Sequence, residues 1–264
     1  MIDLHSHVLP SLDDGPADLS GALALAHAAV AAGTQVMAAT PHIGLRYPVV
    51  HDELPGRIAS LRARLADARI PLEIVGGGEL APSAAAELGD DQLRAITLGG
   101  GACVLLECPF TRAVGLMPAL VAHLQSRGFR VLLAHPERSQ EFLRDPAGLS
   151  ALVDHGAMVQ VTASAFRGDF GRTARRYALE LLDAGLAHVV ASDAHDARVR
   201  SPVMLPLVRD AVRRQGLPAA AIEYLTADAP RSLLEDAPLP PPPRRRTRPL
   251  RTRLREVARP RSTS

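Results

Sequence analysis

Seven short apolar runs recur along the chain, separated by longer amphipathic stretches, and this alternation constrains the fold more than any other feature. The runs fall at 2–4, 36–39, 72–75, 103–107, 131–134, 158–161 and 188–191. Helices are predicted near 18–32, 53–69, 115–127, 146–155, 172–185 and 203–215, with a further helical stretch near 219–235. Strands that read as continuous apolar runs are buried on both faces, which fits a parallel sheet covered by helices. Asp18 stands where a helix N-cap belongs, and Gly33 lies just past the end of the same helix. Seven β-then-α units favour an α/β fold closed, or nearly closed, into a barrel over an open sheet. The 264 residues suffice for one such domain.

Composition narrows the class. Hydrophobic residues make up 47% of the chain, as a globular core requires. The two cysteines, Cys103 and Cys108, share one apolar run, which argues against a disulfide framework and fits a reducing cytoplasm. The N-terminal residues have neither the basic nor the apolar region of a signal peptide, and no apolar run reaches the length of about 18 residues needed to span a bilayer. The net charge of +2 conceals an asymmetry: residues 244–264 hold nine of the 30 basic residues and one of the 28 acidic ones, so 1–243 carry −6 and the tail +8. Pro238 and Pro240 to Pro243 precede this tail. Proline resists helix and sheet, and like charges repel, so 237–264 is expected to be a disordered Pro/Arg-rich extension of a domain spanning 1–236. A solvated tail without a specific role is one reading of it, and contact with anionic lipid or an acidic protein face is the other. Clustered arginine also suits nucleic acid, but the tail lacks aromatics for base stacking, so nucleic acid is not expected.

The polar residues sit where strands end. His5 and His7 follow the first run, His42 the second, Glu79 the third, Glu107 ends the fourth, His135 follows the fifth, and Asp193 and His195 follow the seventh. The sixth run has no evident donor. In a β/α barrel the strand C-termini share one face, where active sites are built. A lone histidine at a strand end is more often a hydrogen-bonded structural residue. Eight imidazole and carboxylate donors at such positions point instead to Zn, Mn or Fe, and they exceed the needs of one ion. Two or three ions fit, because a carboxylate can bridge. His27, His51, His123, His155 and His188 fall elsewhere and receive no role. Arg138 and Arg200 lie close after His135 and His195, and their donor forks suit phosphate oxygens. A surface ion pair is the other reading of both. Arg198 is a weaker candidate of the same kind.

Taken together, His5-Ser6-His7, Asp14, Thr40-Pro41-His42, Glu79, Glu107-Cys108-Pro109, His135-Pro136-Glu137-Arg138 and Ser192-Asp193-Ala194-His195 resemble the polymerase and histidinol phosphatase (PHP) superfamily. The opening stretch from Met1 to Pro10, with Asp13-Asp14-Gly15 behind it, is similar to the bacterial tyrosine-protein phosphatases of the CpsB/YwqE type. The resemblance runs to about residue 235 and leaves out the tail. It implies a distorted (β/α)7 barrel holding three metal ions, often manganese. His5, His7 and Asp193 would hold one ion, with Glu107 bridging to a second. His135 and Glu79 would complete the second, and Asp14, His42 and His195 would hold the third. Arg138 and Arg200 match the family's phosphate-contacting arginines.

Cysteine-dependent tyrosine phosphatases place arginine six residues after the nucleophile, but Pro109 and Val114 occupy those positions here. Direct hydrolysis of phosphotyrosine is therefore expected. The implied substrate is the tyrosine-rich tail of a membrane-associated bacterial tyrosine kinase controlling capsule or exopolysaccharide synthesis. That would place the enzyme in the cytoplasm, at times at the inner membrane face. The resemblance also allows a homo-oligomer. Other phosphoesterases of the superfamily, acting on histidinol phosphate, nucleotides or nucleic acid, share this donor set. The loop Leu45-Arg46-Tyr47-Pro48 is either a wall for a substrate ring or an ordinary loop. A non-catalytic, metal-stabilised docking module is the remaining alternative, and the full ligand set argues against it.

Overall fold

The computed structural model describes residues 1–47, 49, 51–111 and 115–243. Its strands are β1 (Ile2–Ser6), β2 (Val36–Ala39), β3 (His42–Ile43), β4 (Glu73–Gly76), β5 (Glu79–Leu80), β6 (Cys103–Glu107), β7 (Arg130–Ala134), β8 (Met158–Thr162) and β9 (Val189–Ala191). They form two parallel sheets in a mixed α/β fold, one in the order β1-β2-β4 and the other β3-β5-β6-β7-β8-β9. Parallel pairing throughout puts the C-terminal ends of the strands on one side of the molecule, with helices packed outside.

Strands two and three of the expected seven are each broken and handed from one sheet to the other. β2 pairs with β4 from Val36 opposite Glu73 to Ala39 opposite Gly76, and the same register resumes with His42 opposite Glu79. Thr40-Pro41 breaks one chain and Gly77-Gly78 the other. A Cβ on Gly78 would meet the Ile43 side chain at 2.7 Å, so only glycine lets this bend pack so closely. The bend sets His42 and Glu79 side by side.

The segment after β9 returns to β1. The Asp193 amide donates to the His5 carbonyl (2.9 Å), and the His7 amide donates to the Ala194 carbonyl (2.8 Å). Buried Asp3 accepts from the Ser192 amide (3.0 Å) and hydroxyl (2.5 Å), tying the start of β1 to the end of β9. Burial pushes the Asp3 carboxyl up to about 6 against these hydrogen bonds.

Helix α1 (Leu19–Ala31) begins as expected, with the Asp18 carboxylate accepting from the Gly21 amide. Its buried face is Ala22, Leu25, Ala26 and Ala29. Leu25 is fully buried, and truncating such a leucine to alanine costs about 2–5 kcal/mol. Two short helices, Pro82–Ala85 and Asp90–Ala95, occupy a stretch where the sequence signals none; both are too short to display a helical period. The helical stretch near 219–235 is three pieces, Ala220–Glu223, a wide π turn at Tyr224–Asp228, and Ala229–Leu234. Pro230 cannot donate to the carbonyl four residues earlier, and the wider turn precedes it.

Residues 237–243 form neither helix nor strand, yet their first part is held. The Asp236 carboxylate accepts from the Ala102 amide (2.8 Å), Arg130 donates to the Ala237 carbonyl (3.0 Å), and Leu239 packs on the core. Residues 244–264, on which the expectation of a disordered arginine-rich extension rests, lie outside the described residues. No helix among the described residues is long and apolar enough to cross a membrane.

Candidate metal centre

All the strand-end donors and Asp14 converge on one site. His5 lies on β1, His7 just past it, Asp14 on the following loop, His42 on β3, Glu79 on β5 and Glu107 at the end of β6. His135 directly follows β7, and Asp193 and His195 follow β9. Four overlapping groups have ligand atoms within 4.8 Å of one another: His7, Asp14, His42 and His195; His5, His7 and Asp193; His5, Glu79 and His135; and His42, Glu79 and Glu107. Every member is one of the nine candidates, and every candidate is a member. Glu107 joins His42 and Glu79 rather than the His5, His7, Asp193 triple for which the resemblance made it a bridge. The central carboxylate is Glu79, which reaches His5 (3.3 Å), His7 (3.4 Å), His42 (3.0 Å) and His135 (2.8 Å). Glu79 lies on the floor at 1% exposure, and Asp14 stands at the mouth at 39%.

Two of these residues bend the backbone to reach the site. His135 (φ 38°) and Asp193 (φ 52°) adopt the left-handed conformation that side chains rarely take. Such strain persists where surrounding structure enforces it, and it concentrates at functional sites.

The electrostatics need added positive charge. Burial opposes ionisation of Glu79, but His5, His135 and His42 outweigh it and hold the carboxyl well below its usual range. Burial likewise opposes ionisation of Asp193, and His5 and His7 hold it well below. Burial, with Glu79 beside it, pushes Glu107 up to about 7. Hydrogen bonds to Asp14 and Glu79 raise His42 to about 9 although burial opposes it, while burial pushes His135 down to about 4. With neutral histidines, the carboxylates of Asp14, Glu79, Glu107 and Asp193 face only Arg138 and Arg200.

The residues fit divalent ions on a second count. Nε2 of His5, His7 and His195, Nδ1 of His135 and Oε2 of Glu79 are buried without a hydrogen-bond partner. Buried polar atoms are nearly always satisfied, so orphans gathered within ligand distance mark donors to a cation. The opposite ring nitrogens are already held: His5 Nδ1 by Gln160 Oε1 (2.9 Å), His7 Nδ1 by Asp13 Oδ2 (2.6 Å) and His195 Nδ1 by the Asp193 carbonyl (3.0 Å). Such partners fix the tautomer and aim Nε2 inward.

Gln160 and Asp13 were not recognised from sequence as site residues. Gln160 is the polar residue inside the sixth apolar run, so the run without a donor supplies the clamp for His5. Asp13 also accepts from the His42 amide (3.0 Å).

Above the donors lies a cavity of about 520 Å3. Arg138 and Arg200 both line it, and each donates to the same Asp193 oxygen at 2.7 Å, leaving the other Asp193 oxygen to the histidines. Both readings of these arginines therefore coexist, since an ion pair uses one of a guanidinium's five N–H donors. The Arg138 guanidinium also packs on Phe110 (4.6 Å) and Phe170 (4.2 Å). Phe110 stacks on His135 at 15°, and Tyr47 stacks on His42 at 10°. In a chain with only eight aromatic residues, three of them border this site. Arg46 and Tyr47 line the cavity, Pro48 lies outside the described residues, and Arg198 lines the neighbouring cleft instead. The five unassigned histidines fall outside the four groups. Both cysteines are buried, and burial pushes the thiol of Cys103 up to about 12 and that of Cys108 well above its ordinary value, so neither is a ready nucleophile.

The sequence model of the CpsB/CapC family, described as capsular polysaccharide synthesis, matches residues 1–235. The chain belongs to the CpsB/CapC family. The tyrosine-protein phosphatase YwqE of Bacillus subtilis is 34% identical over 205 residues, covering 76% of this chain and 80% of that one. The tyrosine-protein phosphatase CpsB of Streptococcus pneumoniae is 24% identical over 243 residues, covering 89% of this chain and 99% of its own. A solved structure from the work on YwqE and CpsB, described as unique metal-dependent tyrosine phosphatases, matches with a TM-score of 0.77 at 28% identity. It covers 94% of this chain and 100% of that chain.

Proposed function

We propose that this CpsB/CapC family member is a metal-dependent protein-tyrosine phosphatase that hydrolyses phosphotyrosine without a covalent enzyme intermediate. The observation that carries the reading is the convergence of nine donors beneath two arginines that share Asp193, in a cavity walled by Tyr47 and Phe110. His5, His7, Asp14, His42, Glu79, Glu107, His135, Asp193 and His195 would hold two or three ions, with manganese in the active form. Bound ions supply charge neutralisation and an activated water. Asp193 fixes Arg138 and Arg200 at a set spacing, and their remaining N–H donors take the phosphate oxygens. Tyr47 and Phe110, each braced flat on a ligand histidine, accept the phenol ring. The phenolate leaving group, with a pKa near 10, needs only modest help. The ring walls favour a phosphotyrosine over the smaller phosphoesters that the donor set alone admits.

In the same reading the two sheets make one distorted (β/α)7 barrel, closed where Ser6 bridges Ala194, and the catalytic domain is 1–236. The substrate is the tail of a membrane-associated tyrosine kinase in capsule or exopolysaccharide synthesis, met at the cytoplasmic face. The tail from 237 onward, with its nine arginines, holds the enzyme near anionic lipid. Deleting 244–264 is expected to lower liposome binding at low salt while sparing turnover of small esters; unchanged binding removes that role.

The test of the activity is hydrolysis of a phosphotyrosine peptide. Chelation should abolish it, Mn should restore it, and serine at both Cys103 and Cys108 should leave it intact. Activity that survives complete removal of metal rejects the mechanism.

A further inference from the structure

The cavity does not end at Arg200. Two more clefts share that residue: one of about 610 Å3 over the start of α1, lined by Asp14, Asp18, His195 and Arg198 among others, and one of about 320 Å3 that includes Phe170 and Val199. A phosphotyrosine side chain fits within the first cavity, so the adjoining clefts offer room for what is attached to it.

The turn from Asp196 to Arg200 shapes these clefts. The Asp196 carboxylate accepts the amides of Arg198 and Val199 (both 2.6 Å) and of Arg200 (3.0 Å). With the backbone fixed in this way, the side chains of Arg198 and Val199 stand out from it. Val199 is 78% exposed, a degree approached among large apolar side chains only by Leu45 (82%), which lines the metal cavity. Arg198 is exposed, and no carboxylate among the described residues pairs with its side chain. The acids of the same cleft are engaged: Asp18 with the Gly21 amide and Ser20 hydroxyl, Asp196 with its own turn, and Asp14 with His42 and His195. The charge left over in this cleft is therefore positive and belongs to Arg198.

We propose that this cleft receives the polypeptide flanking the phosphotyrosine, that Arg198 selects an acidic side chain there, and that Val199 adds an apolar contact. The proposal rests on the tyrosine-phosphatase reading. A small ester has no part that reaches Arg198, whereas an extended peptide does.

The experiment compares three substrates on Mn-loaded enzyme: p-nitrophenyl phosphate, a phosphotyrosine peptide flanked by Glu, and the same peptide flanked by Lys. Wild type should prefer the Glu peptide about threefold to fivefold in kcat/KM, the size of one exposed ion pair, and high salt should shrink the preference. Arg198→Glu should reverse the preference, Val199→Ser should weaken turnover of both peptides, and neither should alter turnover of p-nitrophenyl phosphate. Equal use of the two peptides by wild type overturns the proposal and leaves the phosphatase reading standing. So does an Arg198→Glu variant that loses small-ester and peptide turnover alike. No turnover of any of the three by wild type rejects the phosphatase reading itself, and this proposal with it.

Discussion

Replacing Glu79 by Gln keeps the shape of the side chain and removes the charge on which four histidines converge. Glu79 belongs to two of the four ligand groups, which would be left with His5 and His135 in one and His42 and Glu107 in the other. Ions that bind only the folded protein stabilise it by about 2.7 kcal/mol per site when present at about 100 times Kd. A domain of this size gains about 2–4 °C in Tm per kcal/mol. Two ions should therefore raise the Tm of the wild type by roughly 11–22 °C, and a third should add more. Glu79→Gln should lose at least half of that rise and hold fewer ions. The assay is thermal unfolding of chelator-treated protein against rising Mn, with bound metal counted by mass spectrometry. A variant that keeps both the full metal complement and the full Tm rise would refute the assignment of Glu79 as the hub.

Three further outcomes are expected. His42, raised to about 9 chiefly by Asp14 and Glu79 against the effect of burial, carries a proton at pH 7 that a metal must displace. The apparent Mn affinity should thus strengthen by up to about tenfold per pH unit between 7 and 9 for this ligand and level off above; a titration midpoint independent of pH would contradict this. Arg138→Ala should lower kcat/KM by about 10²–10³ with metal content intact, and Lys should restore only part of it, because an ammonium lacks the donor fork and packs poorly on Phe110 and Phe170. Asp13→Asn should weaken metal binding about 10-fold to 100-fold through His7, as measured by competition with a chelator; unchanged affinity would show that the 2.6 Å contact does not orient the ligand.

The donor set was legible in the sequence because parallel strands deliver their C-terminal ends to one side. Residues as distant as His5 and His195 could therefore be grouped from strand positions alone. The division among ions was not legible. Glu79 reaches the centre through the bend at Gly77-Gly78, and a single apolar run does not reveal such a bend. His135 and Asp193 turn inward through left-handed backbone that no spacing rule specifies. Gln160 was hidden for a different reason: one polar residue in an apolar strand reads equally as a structural hydrogen bond. Phe110 and Phe170 gained significance only when their rings were found against Arg138. Arg198, adjacent in sequence to the same turn as Arg200, proved to face a different cleft.

The most direct measurement is anomalous diffraction at the Mn absorption edge from crystals of the Mn-loaded protein grown with orthophosphate. The account predicts two or three Mn peaks within coordination distance of the nine donors, with Glu79 shared between sites and the phosphate against Arg138 and Arg200. Mn bound elsewhere with these groups vacant, or phosphate bound away from both arginines, would contradict it.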